Sequence, residues 1–455
     1  MNRLSFFRAH SKFRFLTEWV SDSVENRTYF LMRFITKFID IRTDEWKGVI
    51  LAFCWFFFLM SAYNLLRPVR ETFATELGKE VTARLITAVF IVMLMAVPLF
   101  AWLVKTCSKP KLVMTVFHFF ATNLLIFGAI NGTTWDGSVY QMMFFVWVSV
   151  FILFVVSLLW SVLADTFSNE QAKRLFGPIA SGATLGSMAG SLFTSHMATE
   201  IGTRYQLFIA CGLLEVSLLF AWWLQKVVVQ SGEPSKPQQT KETNILNDLT
   251  AGLREISKSG YLQMICLYIV LAQLFGTFVY FLLNETVKAQ IVDSAARTAH
   301  FGGINFATQA GTLIVQTIVL GQVVKRFGIS VALVIWPVVS LACIFVVGVS
   351  PTLMAVSAVD VFNRVANYGM SVPAKEMLFT VVGKDAKYKS KSFIDTVVVR
   401  GGDAVSANLY TEISKVLVLG TICVGLVPLV LGAAIAGWWL GQKRKQLAEG
   451  LDNSQ

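Results

Sequence analysis

Apolar runs long enough to cross a bilayer recur along almost the whole of this chain, and they constrain its fold more than anything else in it. Gly48 to Pro68, GVILAFCWFFFLMSAYNLLRP, is the first. A hydrocarbon core about 30 Å thick needs roughly 20 residues of helix. The composition agrees: 55% of residues are hydrophobic and 15% charged, where soluble domains carry about a quarter charged. The runs predict an all-α membrane protein of 12 transmembrane helices, at about 47–68, 82–104, 111–130, 139–164, 175–198, 204–227, 260–283, 301–324, 329–349, 352–374, 391–413 and 416–441. No short apolar core followed by a small-residue cleavage site opens the chain, so no cleaved signal peptide is expected.

A formal net charge of +11 would suggest nucleic acid in a soluble protein, but here the cations sort by loop. Lys105, Lys109 and Lys111, then Lys173 and Arg174, Lys325 and Arg326, and Lys384 to Lys391 fall in alternate loops, and both tails are basic. In the opposite loops the basic residues sit among acids, as Lys79 and Arg84 do with Glu76 and Glu80. This positive-inside pattern places both termini in the cytoplasm, and no nucleic-acid partner is expected. Six cysteines stand singly in or beside apolar runs, which argues against a disulfide or metal site.

Residues 1–46 form a cytoplasmic tail. Within it Tyr29 to Ile41 alternates apolar and charged residues at near-helical spacing, readable as an interfacial amphipathic helix or as plain tail. A six-helix half, 47–229, is followed by a polar segment, 230–259, whose Pro, Ser, Gln and Lys mark a flexible linker. A second six-helix half spans 260–441, and 442–455 is a second tail. The halves read as pseudo-repeats. Tyr63-Asn64-Leu65-Leu66 matches Tyr280-Phe281-Leu282-Leu283, Arg174-Leu175-Phe176 matches Lys391-Ser392-Phe393, and Trp222-Trp223-Leu224 matches Trp438-Trp439-Leu440, at shifts of 216 or 217. Two parallel six-helix halves about a linker resemble the major facilitator superfamily, and Gly321-x-x-x-Lys325-Arg326-x-Gly328 resembles its loop signature.

Charges inside the spans carry the chemistry, because each unpaired one costs several kcal/mol there. Arg67, Arg70 and Glu71 close the first span beside Tyr63 and Pro68; they read as a snorkelling cap or as the wall of a cationic site. Asp360, Asn363, Arg364 and Asn367 share one face of the tenth span. Arg400 and Asp403 stand three apart in the eleventh, around two glycines. Each acid–base pair suits either an internal ion pair or a cavity wall whose arginine fork takes phosphate when its partner is displaced. Asp165, Lys375, Glu376 and Asp395 lie near basic loops and read as gating residues; Glu215 and Glu285 remain open to a proton-coupling role. Gly182-x-x-x-Gly186-x-x-x-Gly190 is a face for close helix packing. No Walker-type GxxxxGK[ST], catalytic triad or HExxH occurs, so neither an enzyme nor a cofactor is expected.

Lys375-Glu376-Met377, the lysine-rich stretch and Lys391-Ser392-Phe393-Ile394-Asp395 together resemble the nucleotide transporter (ATP/ADP translocase) family of plastids and intracellular bacteria. Ala172-Lys173-Arg174 and Leu65-Leu66-Arg67 with Arg70 fit its pattern too. The resemblance implies exchange of ATP for ADP, or carriage of other nucleotides. Of the family's four charged positions, the first-span lysine falls on Arg70. The others fall near Val148, Tyr280 and Asp403, where the residue type is changed, and Arg400-Gly401-Gly402-Asp403 resembles a free-living bacterial branch.

The expectation is therefore a carrier in the lipid bilayer of a bacterial inner membrane, monomeric, moving a small anionic substrate, a nucleotide foremost. Arg70, Arg364, Arg400, Asp360, Asp403, Asn363, Asn367, Arg67 and Tyr63 would bind it; Glu71, Asp165, Glu285, Lys375, Glu376 and Asp395 would gate or couple. A proton-coupled carrier or exporter of a non-nucleotide compound is the alternative.

Overall fold

A computed structural model describes residues 41–42, 44–230 and 245–452. The interfacial helix expected over Tyr29 to Ile41 lies outside these but for its last residue. Fourteen α-helices follow: α1 Trp46–Leu77, α2 Lys79–Thr106, α3 Lys109–Ile130, α4 Ser138–Thr166, α5 Asn169–Gln230, α6 Ile245–Lys258, α7 Gly260–Gln290, α8 Ser294–Ile314, α9 Leu320–Val349, α10 Leu353–Ala366, α11 Val372–Leu378, α12 Lys384–Phe393, α13 Val399–Val416 and α14 Leu419–Asp452. No strand occurs among the described residues.

Among the described residues, eight helical stretches are long and apolar enough to span a membrane. Two of them, Glu170–Val227 with 58 residues and Ser294–Val349 with 56, would run over 80 Å if straight, far beyond one bilayer. Each is broken at one glycine, Gly202 (φ 70°) and Gly328 (φ 82°), and a π-helical turn, Val315–Val319, also joins α8 to α9. Positive φ costs glycine little and other residues much, so each turn falls where the sequence supplies one. The regions expected as the tenth and eleventh spans carry most of the intramembrane charge and are interrupted by π turns without a positive-φ glycine. A π-helical turn, Asn367–Ser371, joins α10 to α11, and another, Ile394–Val398, joins α12 to α13. Such turns insert one residue into a helix and re-aim the side chains beyond it.

Buried apolar side chains form two large cores. One draws on residues from Ile41 to Leu224, the other on residues from Ile256 to Leu440 plus Ala83. Within the first, α1 and α5 are zipped along the glycine face the spacing predicts. A Cβ on Gly182, Gly186 or Gly190 would lie 2.6, 2.1 or 2.4 Å from the carbonyl oxygens of Phe53, Phe57 and Ser61. The Ser61 hydroxyl donates to the Gly186 carbonyl at 3.1 Å.

Two segments depart from the sequence reading. Lys384 to Lys391, expected as a polar loop, is helical and continues through its π turn into α13. The stretch expected as flexible linker contains α6, which lies against α12 so closely that a Cβ on Gly252 would meet the Lys389 carbonyl at 2.5 Å. Its average composition is polar, but Leu249, Gly252 and Ile256 recur at helical spacing. That local period governs its structure.

Candidate functional site

A cavity of about 550 Å³ lies between the two cores. α1, α2 and α4 wall it on one side; α7, α8, α10, α11, α13 and the Asn367–Ser371 turn wall it on the other. Tyr63, Arg67, Arg70, Asp360, Asn363, Arg364, Asn367, Arg400 and Asp403 all line it, as do Glu71 and Lys375. Residues 300 positions apart thus share one chamber.

Three of the four cavity arginines are held differently. Arg70 Nη2 lies 2.5 Å from Glu71 Oε1, its Nη1 is 3.4 Å from Ser149 Oγ, and its guanidinium stacks 5.2 Å above the Phe145 ring. Glu71 is also the acceptor for Tyr280, whose hydroxyl donates to Oε2 at 2.8 Å. Arg364 donates to Asp360 Oδ2 at 3.0 Å, one helical turn back, and to Asn305 Oδ1 at 2.8 Å. Arg400 stands 3.9 Å from Asp403 Oδ2 with its side chain 48% exposed, while Gln273 occupies Asp403 Oδ1 at 2.5 Å. Asn363 faces the cavity but gives its oxygen to the indole N–H of Trp336 at 2.8 Å, so part of its task is to pack α10 on α9.

Five cationic side chains (Arg67, Arg70, Arg364, Lys375, Arg400) face three anionic ones (Glu71, Asp360, Asp403), a surplus of two positive charges. Four buried nitrogens in the wall have no hydrogen-bond partner: Nε of Arg67, Arg70 and Arg364, and Nδ2 of Asn305. All four are donors. Buried donors are normally satisfied, so this wall presents a demand for acceptors.

The other expected gating residues lie elsewhere. Asp165, at the end of α4, pairs with Lys109 at the start of α3, and Glu376 of α11 pairs with Lys391 of α12. Glu285 joins Lys79 at 2.9 Å and the Tyr410 hydroxyl at 2.9 Å, at the opposite end. Asp395 sits exposed in the Ile394–Val398 π turn. Glu215 meets His118 at 3.0 Å, both exposed on the outside of the bundle. Sequence reasoning missed Phe145, Ser149, Gln273 and Asn305, uncharged residues whose spacing singles none of them out. Tyr280 carried a signal as the repeat mate of Tyr63.

Hydrogen bonds join the two cores at the end of the cavity where α1 finishes. Thr72 meets Thr298 at 2.8 Å, Thr75 donates to Asn284 at 2.5 Å, and Glu76 accepts from Ser294 at 2.7 Å. Lys415 reaches Glu80 at 3.8 Å, and Asn408 donates to Thr87 at 2.8 Å. At the other end, Glu45 binds Arg174 at 2.8 Å and Gln171 at 3.1 Å within the first half. Burial alone would raise the Glu45 carboxyl, but the hydrogen bonds from Arg174, the Arg42 backbone and Gln171, with the Arg174 charge, together outweigh it and hold it below its ordinary value.

The family model described as Major Facilitator Superfamily matches residues 49–377. Among curated relatives, ADP,ATP carrier protein 1 of Chlamydia trachomatis is 21% identical over 295 residues, 55% of this chain and 56% of that protein. The chloroplastic ADP,ATP carrier protein 2 of Arabidopsis thaliana is 24% identical over 343 residues, 66% of this chain and 54% of that protein. The chain spans about half the length of the curated relatives it matches. A solved structure of the nucleoside transporter NupG shares the fold with a TM-score of 0.62 at 14% identity, over 88% of this chain and 99% of that one.

Proposed function

The chain belongs to the major facilitator superfamily, and we propose that it is a secondary-active carrier of an anionic metabolite, a nucleotide of the ADP or ATP type. The observation that carries this is the wall of the central cavity, with its two surplus cations and its unpaired donors. Phosphate oxygens satisfy both at once, and an arginine fork takes two of them. Tyr63, Phe90, Phe145, Tyr268 and Tyr368 supply flat apolar faces for a base. A volume of about 550 Å³ falls inside the usual range for small-molecule sites. The ADP,ATP carrier relatives support the same substrate class.

On this reading twelve helices cross the membrane as two six-helix halves. The eight apolar stretches count as ten once Gly202 and Gly328 are taken as turns, and α10–α11 and α12–α13 complete the set. The ends near α6 and α12 face the cytoplasm, where positive-inside bias puts both tails, and the cavity alternates access as the halves rock. Counterflow in proteoliposomes tests the proposal: vesicles preloaded with ADP should accumulate labelled ADP or ATP saturably. Absence of saturable uptake of every nucleotide and phosphorylated metabolite tried would sink it. Asp403, set in α13 at 3.9 Å from its cation, favours a second reading as a proton site; uptake that needs a pH gradient and ignores nucleotides would select that one.

A further inference from the structure

On successive turns near its end, α1 bonds across to the second core four times: Glu71 to Tyr280, Thr72 to Thr298, Thr75 to Asn284 and Glu76 to Ser294. Of these eight residues, only Glu71 and Tyr280 line the cavity. A bound molecule therefore reaches the innermost bond of the closure and not the three behind it. The same Glu71 holds Arg70, whose Nε is unpaired and which itself lines the cavity.

We infer that Glu71 and Tyr280 form a latch through which an anion in the cavity releases this end of the molecule. The inference rests on the anion-carrier reading. A ligand changes a conformational equilibrium only through different interactions with the two states, and the geometry supplies such a difference. When a phosphate takes the Arg70 fork, Glu71, itself 6% exposed, loses its closest counter-charge. Arg67 is the remaining cation nearby, and Tyr280 still donates. An under-paired carboxylate is costly in a closed wall and cheap in water. Parting the helix ends beside Thr72 and Thr75 lets water reach it. Occupied cavities thus favour opening at this end, whereas in empty ones the Arg70–Glu71–Tyr280 chain stays satisfied and closed. Tyr280 acts through Glu71 and is a positioning residue.

Paired spin labels test this. Val139 and Val292 are 65% and 90% exposed at the latched end, on either side of the closure. Labels on Val139→Cys and Val292→Cys, in a variant lacking the six native cysteines and reconstituted in nanodiscs, report its width. Ligand-free Tyr280→Phe should populate a longer distance that the ligand-free parent lacks, and saturating ADP should bring the parent to that same distance. Glu71→Gln keeps an acceptor for Tyr280 but has no charge to expose, so it should stay short with ADP present. A ligand-free Tyr280→Phe distribution identical to the parent's overturns the latch, whatever ADP does. If Tyr280→Phe opens but ADP moves nothing, the latch stands and the nucleotide reading fails. Should Tyr280→Phe not fold, Glu71→Gln decides: opening with ADP as the parent does removes the latch.

Discussion

Arg364 and Arg400 face one cavity, yet their settings predict different consequences when each is removed. Arg364 satisfies Asp360 and Asn305 at 3.0 and 2.8 Å, and Asp360 is 5% exposed. Arg364→Gln strands that carboxylate, and breaking a buried pair costs about 3–5 kcal/mol. Arg400 is half exposed and 3.9 Å from Asp403, which keeps Gln273 as a donor. A pair so loose contributes about 0–1 kcal/mol. Arg400→Gln should therefore leave the thermal midpoint in detergent within a few degrees of the parent while nucleotide counterflow collapses. Arg364→Gln should lower both. Equal midpoints for the two variants would show that Asp360 does not depend on Arg364 as its geometry implies.

At the scale of elements, the α1–α5 zipper is the firmest contact in the first half, because backbone meets backbone with no side chain able to yield. A methyl on Gly186 would lie 2.1 Å from the Phe57 carbonyl oxygen, so Gly186→Ala must push the helices apart. Overpacking of this kind costs about 1–3 kcal/mol. Gly212, on the same helix with nothing within 4 Å, is the control: alanine there gains up to about 1 kcal/mol of helix propensity. Thermal unfolding of the two variants should move in opposite directions, and a stable Gly186→Ala would refute the zipper. The GxxxGxxxG pattern made this contact readable from sequence, as period and residue size sufficed. The same held for the charged face of α10, since Asp360, Asn363, Arg364 and Asn367 fall together on any helix. What could not be read is how α10 and α13 bend. The π turns at Asn367–Ser371 and Ile394–Val398 have no residue signature, and they set the positions of Lys375 and Arg400 in space. Partners such as Asn305 and Gln273 come from helices brought alongside by packing, which no spacing along one chain encodes.

The whole molecule is two apolar bodies with a charged chamber between them, bonded across at one end. Such a chamber focuses its field. Its low-dielectric walls screen poorly, and a surplus of two cations draws anions in before any contact forms. That long-range part is what added salt removes, since the screening length falls from about 10 Å at 0.1 M to 3 Å at 1 M ionic strength. Contacts made inside the chamber are much less exposed to it. Initial counterflow rates at subsaturating ADP should therefore fall several-fold as salt rises, while rates at saturating ADP change little. Lys375, on α11 beyond the π turn, contributes one of the two surplus charges and has no carboxylate in hydrogen-bond range among its described contacts. Lys375→Gln should flatten the salt dependence in the subsaturating regime, whereas Tyr63→Phe, which leaves the charge untouched, should keep the parent's slope. A parent rate indifferent to salt would mean that the charges of the wall are internally compensated, with Glu71, Asp360 and Asp403 pairing more cations than their positions indicate.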